Sequence, residues 1–136
     1  MNTPDYFEKI LNEAHAAATA AIRAMFDAGK SEQPFNCGFA WVTIDGTSPM
    51  ARHCRKMANS ETGQSKAFKS EYHHRYGDKG YPRGWQWWGP GDWPSSQEMG
   101  HPVYTQDMDF KAAGARAFQD VLGTYGYNAT VGTRLD

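Results

Sequence analysis

The chain has few of the residues and patterns that identify common protein classes. Its 136 residues include two cysteines, Cys37 and Cys54, and both lie in apolar periodic contexts, so we expect buried free thiols rather than a disulfide. No hydrophobic run approaches the length of a membrane span, and the residues after Met1 are polar and acidic, unlike a signal peptide. The sequence therefore predicts a cytoplasmic protein with no membrane partner.

Signatures of metal binding and catalysis are also missing. The cysteines and histidines show no C-x-x-C or H-x-x-x-H spacing, which argues against a zinc site. Ser48 stands between a strand pattern and a helix pattern, but its surroundings lack the second glycine of a G-x-S-x-G nucleophile elbow. There is no Rossmann glycine fingerprint and no P-loop. We predict no metal, no cofactor and no catalytic residue. The alternative is a catalytic pair of carboxylates that the fold brings together.

Positive and negative residues are nearly equal in number over the whole chain, but they are unevenly distributed along it. The net charge is −1, which gives no general attraction to nucleic acid or membranes. Residues 51–84 carry eight Lys and Arg against three Asp and Glu, whereas residues 1–50 and 85–136 each carry three against six. The basic centre is either a site for an anion or an acidic surface, or it pairs with the acidic flanks in the fold.

Start and stop signals divide the chain into alternating helices and strands. The predicted elements are a helix from Thr3-Pro4-Asp5 to Gly29, a strand Phe35–Asp45, a helix entered at Ser48-Pro49, a strand Trp85–Trp88, a helix from Asp107 to Gly126, and a strand Tyr127–Val131. This α-β-α-β-α-β order predicts one α+β domain over residues 1–136. We expect a small, mainly antiparallel sheet of three or more strands with three helices on one face. Further strands are expected from 66–80 or 97–105, beside a long aromatic central loop.

The first strand has two different faces. Phe39, Trp41 and Thr43 share one face with Phe35 and Cys37, and small or aliphatic residues occupy the other. We expect the helices to pack on the small face, and the central loop, a partner chain or a ligand to cover the aromatic face. The alanine-rich first helix allows close packing within the chain or a homodimer contact, and we favour the former.

The stretch 81–94 contains four of the five tryptophans. Trp85 and Trp87 share one face of the predicted strand, and Gln86 and Trp88 share the other, so both faces need a covering. Tryptophan, tyrosine and arginine are common where proteins stack on nucleic-acid bases and at the hot spots of protein–protein interfaces. If the tryptophans are instead buried in the core, this stretch contains no binding site. The candidate binding residues are Arg52, Tyr72, His74, Arg75, Tyr81, Arg83, Trp85, Trp87, Trp93 and Arg134.

Several segments resemble a family of small, uncharacterised proteins encoded by bacteriophages. The resemblance lies in Cys37-Gly38-Phe39-Ala40-Trp41-Val42, Ser48 with Ala51-Arg52, Ala115-Arg116-Ala117-Phe118, and the terminus Asn128-Ala129-Thr130-Val131-Gly132-Thr133-Arg134-Leu135-Asp136. Those proteins similarly end in a strand followed by Gly-Ser/Thr-Arg-Leu/Met-Asp. The resemblance implies a phage origin and the cytoplasm of a host cell. It also suggests that Ser48, Arg52, Arg134 and Asp136 cluster, either as a terminal Arg–Asp pair or as an anion pocket of Arg52 and Arg134.

Three functional hypotheses follow. The first is a non-catalytic phage protein that inhibits or modifies a host or defence protein, as an anti-CRISPR protein does, through its aromatic and basic 66–93 region. The second is a nucleotide or nucleic-acid binding protein, such as a sponge for a signalling nucleotide or a DNA binder. It would use Arg52, Arg134 and tryptophan stacking. The third is an enzyme that acts on a nucleotide or DNA.

Overall fold

The computed structural model describes residues 3–27, 38–60, 75–80, 83–88 and 108–135. The elements in chain order are helix α1 (Pro4–Asp27), strand β1 (Gly38–Asp45), helix α2 (Pro49–Ser60), strands β2 (Asp78–Lys79) and β3 (Gly84–Trp87), helix α3 (Met108–Thr124) and strand β4 (Thr130–Leu135). The α+β class, the three helices and the antiparallel sheet agree with the prediction. The short strand β2 lies within the 66–80 stretch, and the predicted aromatic loop lies mostly outside the described residues.

Side-chain caps fix where the first two helices begin. The Thr3 hydroxyl accepts a hydrogen bond from the Tyr6 amide at 3.2 Å, and the Ser48 hydroxyl accepts one from the Ala51 amide at 3.2 Å. Each capping residue is followed by a proline at the first helical position, where its missing N–H is not needed. Both helix starts agree with the prediction from sequence.

The sheet is antiparallel in the order β2-β3-β1-β4. Val42 in the central strand β1 pairs with Trp87 on one side and with Val131 on the other. The predicted last strand is confirmed, but it begins at Thr130 instead of Tyr127, because the end of α3 uses the backbone before it: Tyr127 donates to the Leu122 carbonyl at 3.0 Å, with Gly126 at a φ of 87°. Strand β4 therefore begins at Thr130 and includes Arg134.

The core lies between the sheet and the helices. Ala40, Val42 and Ile44 of β1 are buried against apolar residues of all three helices, as the small face of this strand predicted. Helices α1 and α3 pack closely, since a Cβ added at Gly114 would lie 2.8 Å from Ile22 Cδ1. Of the small residues of α1, Ala14 and Ala18 are buried in this core, whereas Ala16, Ala20 and Ala24 are exposed.

Candidate functional site

The sheet face that points away from the helices carries aromatic and basic side chains. Register and alternation place several residues on this surface, and we name eight of them the aromatic sheet face: Phe39, Trp41 and Thr43 of β1, Gln86 and Trp88 along β3, and Thr130, Gly132 and Arg134 of β4. Trp88 is 46% exposed, and Phe39 and Trp41 are half-buried. Trp88 is therefore the aromatic side chain of this face with the most accessible surface.

The two tryptophans of this face form a stack. The Trp41 and Trp88 ring centroids are 4.8 Å apart with an interplanar angle of 30°, and Phe39 meets Trp88 edge-on at 6.2 Å. Gly132 on the neighbouring strand makes room for the Trp41 ring, because an added Cβ there would lie 2.5 Å from Trp41 Nε1 and closer still to two ring carbons. The Trp41 ring therefore lies against the sheet and supports Trp88.

Two cations border the aromatic cluster. The Arg134 guanidinium carbon lies 5.6 Å from the Phe39 ring centroid, and Lys111 Nζ lies 4.9 Å from it. Lys111 also donates to the Gly38 carbonyl at 2.9 Å. Asp45 and Asp78 share the face but lie away from this end of it, at the far end of β1 and on the edge strand β2. The aromatic end is therefore the basic end.

Trp85 and Trp87 are core residues, which corrects their prediction as binding residues. They are 4% and 1% exposed and point toward the helices. Their indole nitrogens donate to main-chain carbonyls, Trp85 to Tyr76 at 2.5 Å and Trp87 to Arg75 at 3.2 Å. With both donors satisfied and both rings packed, neither side chain is free to stack on a ligand.

Arg75 is held by an internal polar network around Glu8. Glu8 Oε1 accepts hydrogen bonds from Arg75 at 2.6 Å and from the Tyr76 hydroxyl at 3.1 Å, and Glu8 Oε2 lies 2.8 Å from His53 Nε2. Arg75 also donates to Asn12 at 2.9 Å. Burial opposes ionisation of Glu8, but the hydrogen bonds from Arg75 and His53 outweigh it and hold the pKa of this carboxyl below its ordinary value. Arg75 therefore joins its segment to α1, and Glu8 extends the network to His53 on α2.

Arg52 and Arg134 do not form the predicted anion pocket. Arg134 pairs with Phe39 and so lies on the aromatic sheet face, whereas Arg52 lies on α2 in the helical layer, on the other side of the sheet. The Ser48 hydroxyl is used as a helix cap. The predicted clustering of Ser48 and Arg52 with Arg134 is therefore wrong, because strand alternation assigns Arg134 to the face opposite the helices, whereas the alternative pair of Arg134 with Asp136 lies partly outside the described residues.

The remaining predicted residues divide into two groups. Arg83 is exposed just before β3, and its carbonyl accepts a hydrogen bond from the Gly46 amide at 2.9 Å. Tyr72, His74, Tyr81, Trp93 and Asp136 lie outside the described residues. Trp88 and Lys111 were not predicted as site residues. Trp88 was detectable, since its parity in the strand is opposite to that of Trp85 and Trp87.

The described residues include no reactive thiol and no metal-binding cluster. Cys54 is a free, buried thiol, and burial together with the nearby Glu8 carboxylate raises its pKa, so the thiol stays protonated. No group of three His, Cys, Asp or Glu side chains suited to a metal ion occurs within the described ranges. None of the described helices is both long enough and apolar enough to span a bilayer.

Comparison with known proteins adds no relative. No protein-family model, curated protein or solved structure matches this chain.

Proposed function

We propose that this protein binds single-stranded nucleic acid, without catalysis, through its aromatic sheet face. The observation that carries the proposal is the stack of Trp41 with the exposed Trp88 on the outer side of the sheet, beside Arg134 and Lys111. Bases of a single strand expose flat faces that stack on such rings, and nearby cations contact the phosphates. In a duplex the base faces are already stacked, so this face favours single strands.

The expected affinity follows from the size of the platform. Stacking of a base on an aromatic side chain contributes about 1–3 kcal/mol as measured by alanine substitution. Two cations give a weak salt dependence, with a slope near −0.7 per phosphate contact for single strands, or about −1.4 in all. We therefore expect moderate affinity with little sequence preference.

The protein-partner hypothesis has less support among the described residues. It rested on the 66–93 region, in which Trp85, Trp87 and Tyr76 are buried and Arg75 is held by Glu8. The exposed Trp88 lies in the same region and suits either hypothesis, whereas Arg134 and Lys111 beside the aromatic cluster favour contacts to phosphates. A phage origin and an anti-defence role stay proposals that rest on the resemblance, and binding of single strands does not depend on them.

The test is a fluorescence anisotropy titration with labelled single-stranded DNA and RNA and a duplex of the same sequence. We expect Trp88→Ala to weaken single-strand binding about 5- to 160-fold, which corresponds to the loss of one stacked base. Arg134→Ala should weaken binding and reduce the salt slope by about 0.7. Arg116→Ala is the matched control, because Arg116 is exposed on α3 within the helical layer.

Two results would contradict the proposal. One is the absence of single-strand binding at low salt by a folded protein. The other is binding that Trp88→Ala and Arg116→Ala weaken equally, since this would place the contact outside the aromatic sheet face.

A further inference from the structure

A second surface lies in the helical layer, on the other side of the sheet. The N-terminal parts of α1 and α2 form the sides of an open groove of about 350 Å³. The groove is lined by Pro4, Phe7, Pro49, Arg52, His53 and Lys56. Its volume is near the lower end of the range for small-molecule sites, roughly 300–1,000 Å³. None of these residues belongs to the aromatic sheet face, so the groove is a separate candidate site.

The floor of the groove is apolar and firmly held. The His53 ring is 8% exposed and lies 5.2 Å from the Phe7 ring, centroid to centroid. His53 Nε2 is 2.8 Å from the Glu8 carboxylate, which Arg75 and Tyr76 hold from behind. Because these contacts join three segments, the floor is formed before any ligand binds.

The wall of the groove on α2 is cationic. Arg52 and Lys56 stand one helical turn apart and are exposed, and neither forms an ion pair with a carboxylate of the described residues. The N-terminus of α2 supplies little to an anion, since Pro49 has no N–H and Ser48 caps the Ala51 amide. The attraction for an anion therefore comes from the two side chains.

We propose that this groove binds a small phosphate monoester with a flat, apolar body. Arg52 and Lys56 hold the phosphate. The body packs mainly on Pro4 and Pro49, because Phe7 is only 4% exposed and offers a ligand little surface. Arginine contacts phosphate oxygens with two parallel N–H donors, and a lysine one turn away adds a point charge to the same group. A dianionic phosphate gains more from this pair of cations than a single carboxylate does.

The proposal is tested by ¹⁵N–¹H NMR titration of the full chain with phenyl phosphate. We expect saturable shifts of amides in 4–8 and 49–56, with weaker binding of inorganic phosphate and of benzoate and no saturation with benzyl alcohol. Arg52→Ala and Lys56→Ala should each raise the dissociation constant by about tenfold, the loss of one hydrogen bond to a charged group. Arg116→Ala should leave it unchanged.

Outcomes that overturn the proposal are separate from those for the sheet face. Equal binding by Arg52→Ala and the unsubstituted protein, or shifts confined to β1 and β4, would exclude the groove. Trp88→Ala should not alter phenyl phosphate binding. The groove proposal is therefore tested independently of the nucleic-acid proposal. A phosphotyrosine peptide that binds tenfold tighter than phenyl phosphate would overturn the assignment to a free small ligand.

Discussion

Gly132→Ala tests the aromatic sheet face without changing any group that contacts a ligand. A Cβ at position 132 would lie closer than 3.0 Å to Trp41 ring atoms, a separation that folded proteins essentially never show. The backbone φ of Gly132 is not positive, so the effect of the substitution is steric. The Trp41 ring must move by roughly 1 Å or more to restore ordinary contact distances.

The cost of this movement can be bounded from the structure. Overpacking a well-packed site costs about 1–3 kcal/mol, and an aromatic pair contributes about 0.5–1.5 kcal/mol beyond its buried area. Trp41 is half-buried on an open face, so its ring can swing outward instead of straining the backbone. We therefore expect Gly132→Ala to lower the free energy of unfolding by about 1–2 kcal/mol.

Urea unfolding and near-UV circular dichroism report the two consequences. Indole rings 4.8 Å apart couple electronically, so displacement of Trp41 should reduce the near-UV signal and weaken oligonucleotide binding. Gly123→Ala is the matched control, because a Cβ at Gly123 meets nothing within 4 Å. In helix α3 that change should stabilise the fold by about 0.5–1 kcal/mol. Unchanged unfolding and an unchanged spectrum in Gly132→Ala would refute the proposed Trp41–Gly132 contact.

Two further predictions concern the interior. Glu8→Gln should lower the free energy of unfolding by about 2–4 kcal/mol, because it weakens contacts to Arg75, His53 and Tyr76. Urea unfolding at neutral pH measures this loss, and a loss below about 0.5 kcal/mol would contradict the network. The Glu8 pKa is lowered on folding, so its stabilisation is present above 4.5, the ordinary value, and is lost as the pH falls through the folded pKa; Glu8→Gln should flatten this acid loss. In a Cys37→Ser background, Cys54 should react with a thiol reagent only as fast as the protein unfolds, and immediate labelling would contradict its burial.

The elements predictable from sequence were those with local physical signals. Thr3-Pro4 and Ser48-Pro49 place capping hydroxyls before prolines, and these dipeptides fix both helix starts through contacts within one turn. The alternation of β1 predicted which face meets the helices, because small and bulky side chains are separated by parity. Neither inference needed information from distant parts of the chain.

The errors came from features that depend on tertiary register. Tryptophans occur on both faces of the β3 segment, and only its pairing with Val42 and Ile44 shows that Trp85 and Trp87 are the buried ones. Likewise, Arg134 shares a face with Phe39 because the register of β1 and β4 pairs these two residues. Sequence spacing could not separate Arg134 from Arg52, which lies in the other layer.

Fold stability does not explain the exposed part of the aromatic sheet face. Trp88 leaves 46% of its surface in water, roughly 100 Å² of a large side chain, which forgoes about 2–3 kcal/mol of hydrophobic stabilisation. Thr43 and Thr130 lie on the same face, and threonine suits a strand without exposing an aromatic ring to water. A stacked base would cover much of this area and regain a similar free energy, so the exposed ring matches a ligand better than it matches the needs of the fold.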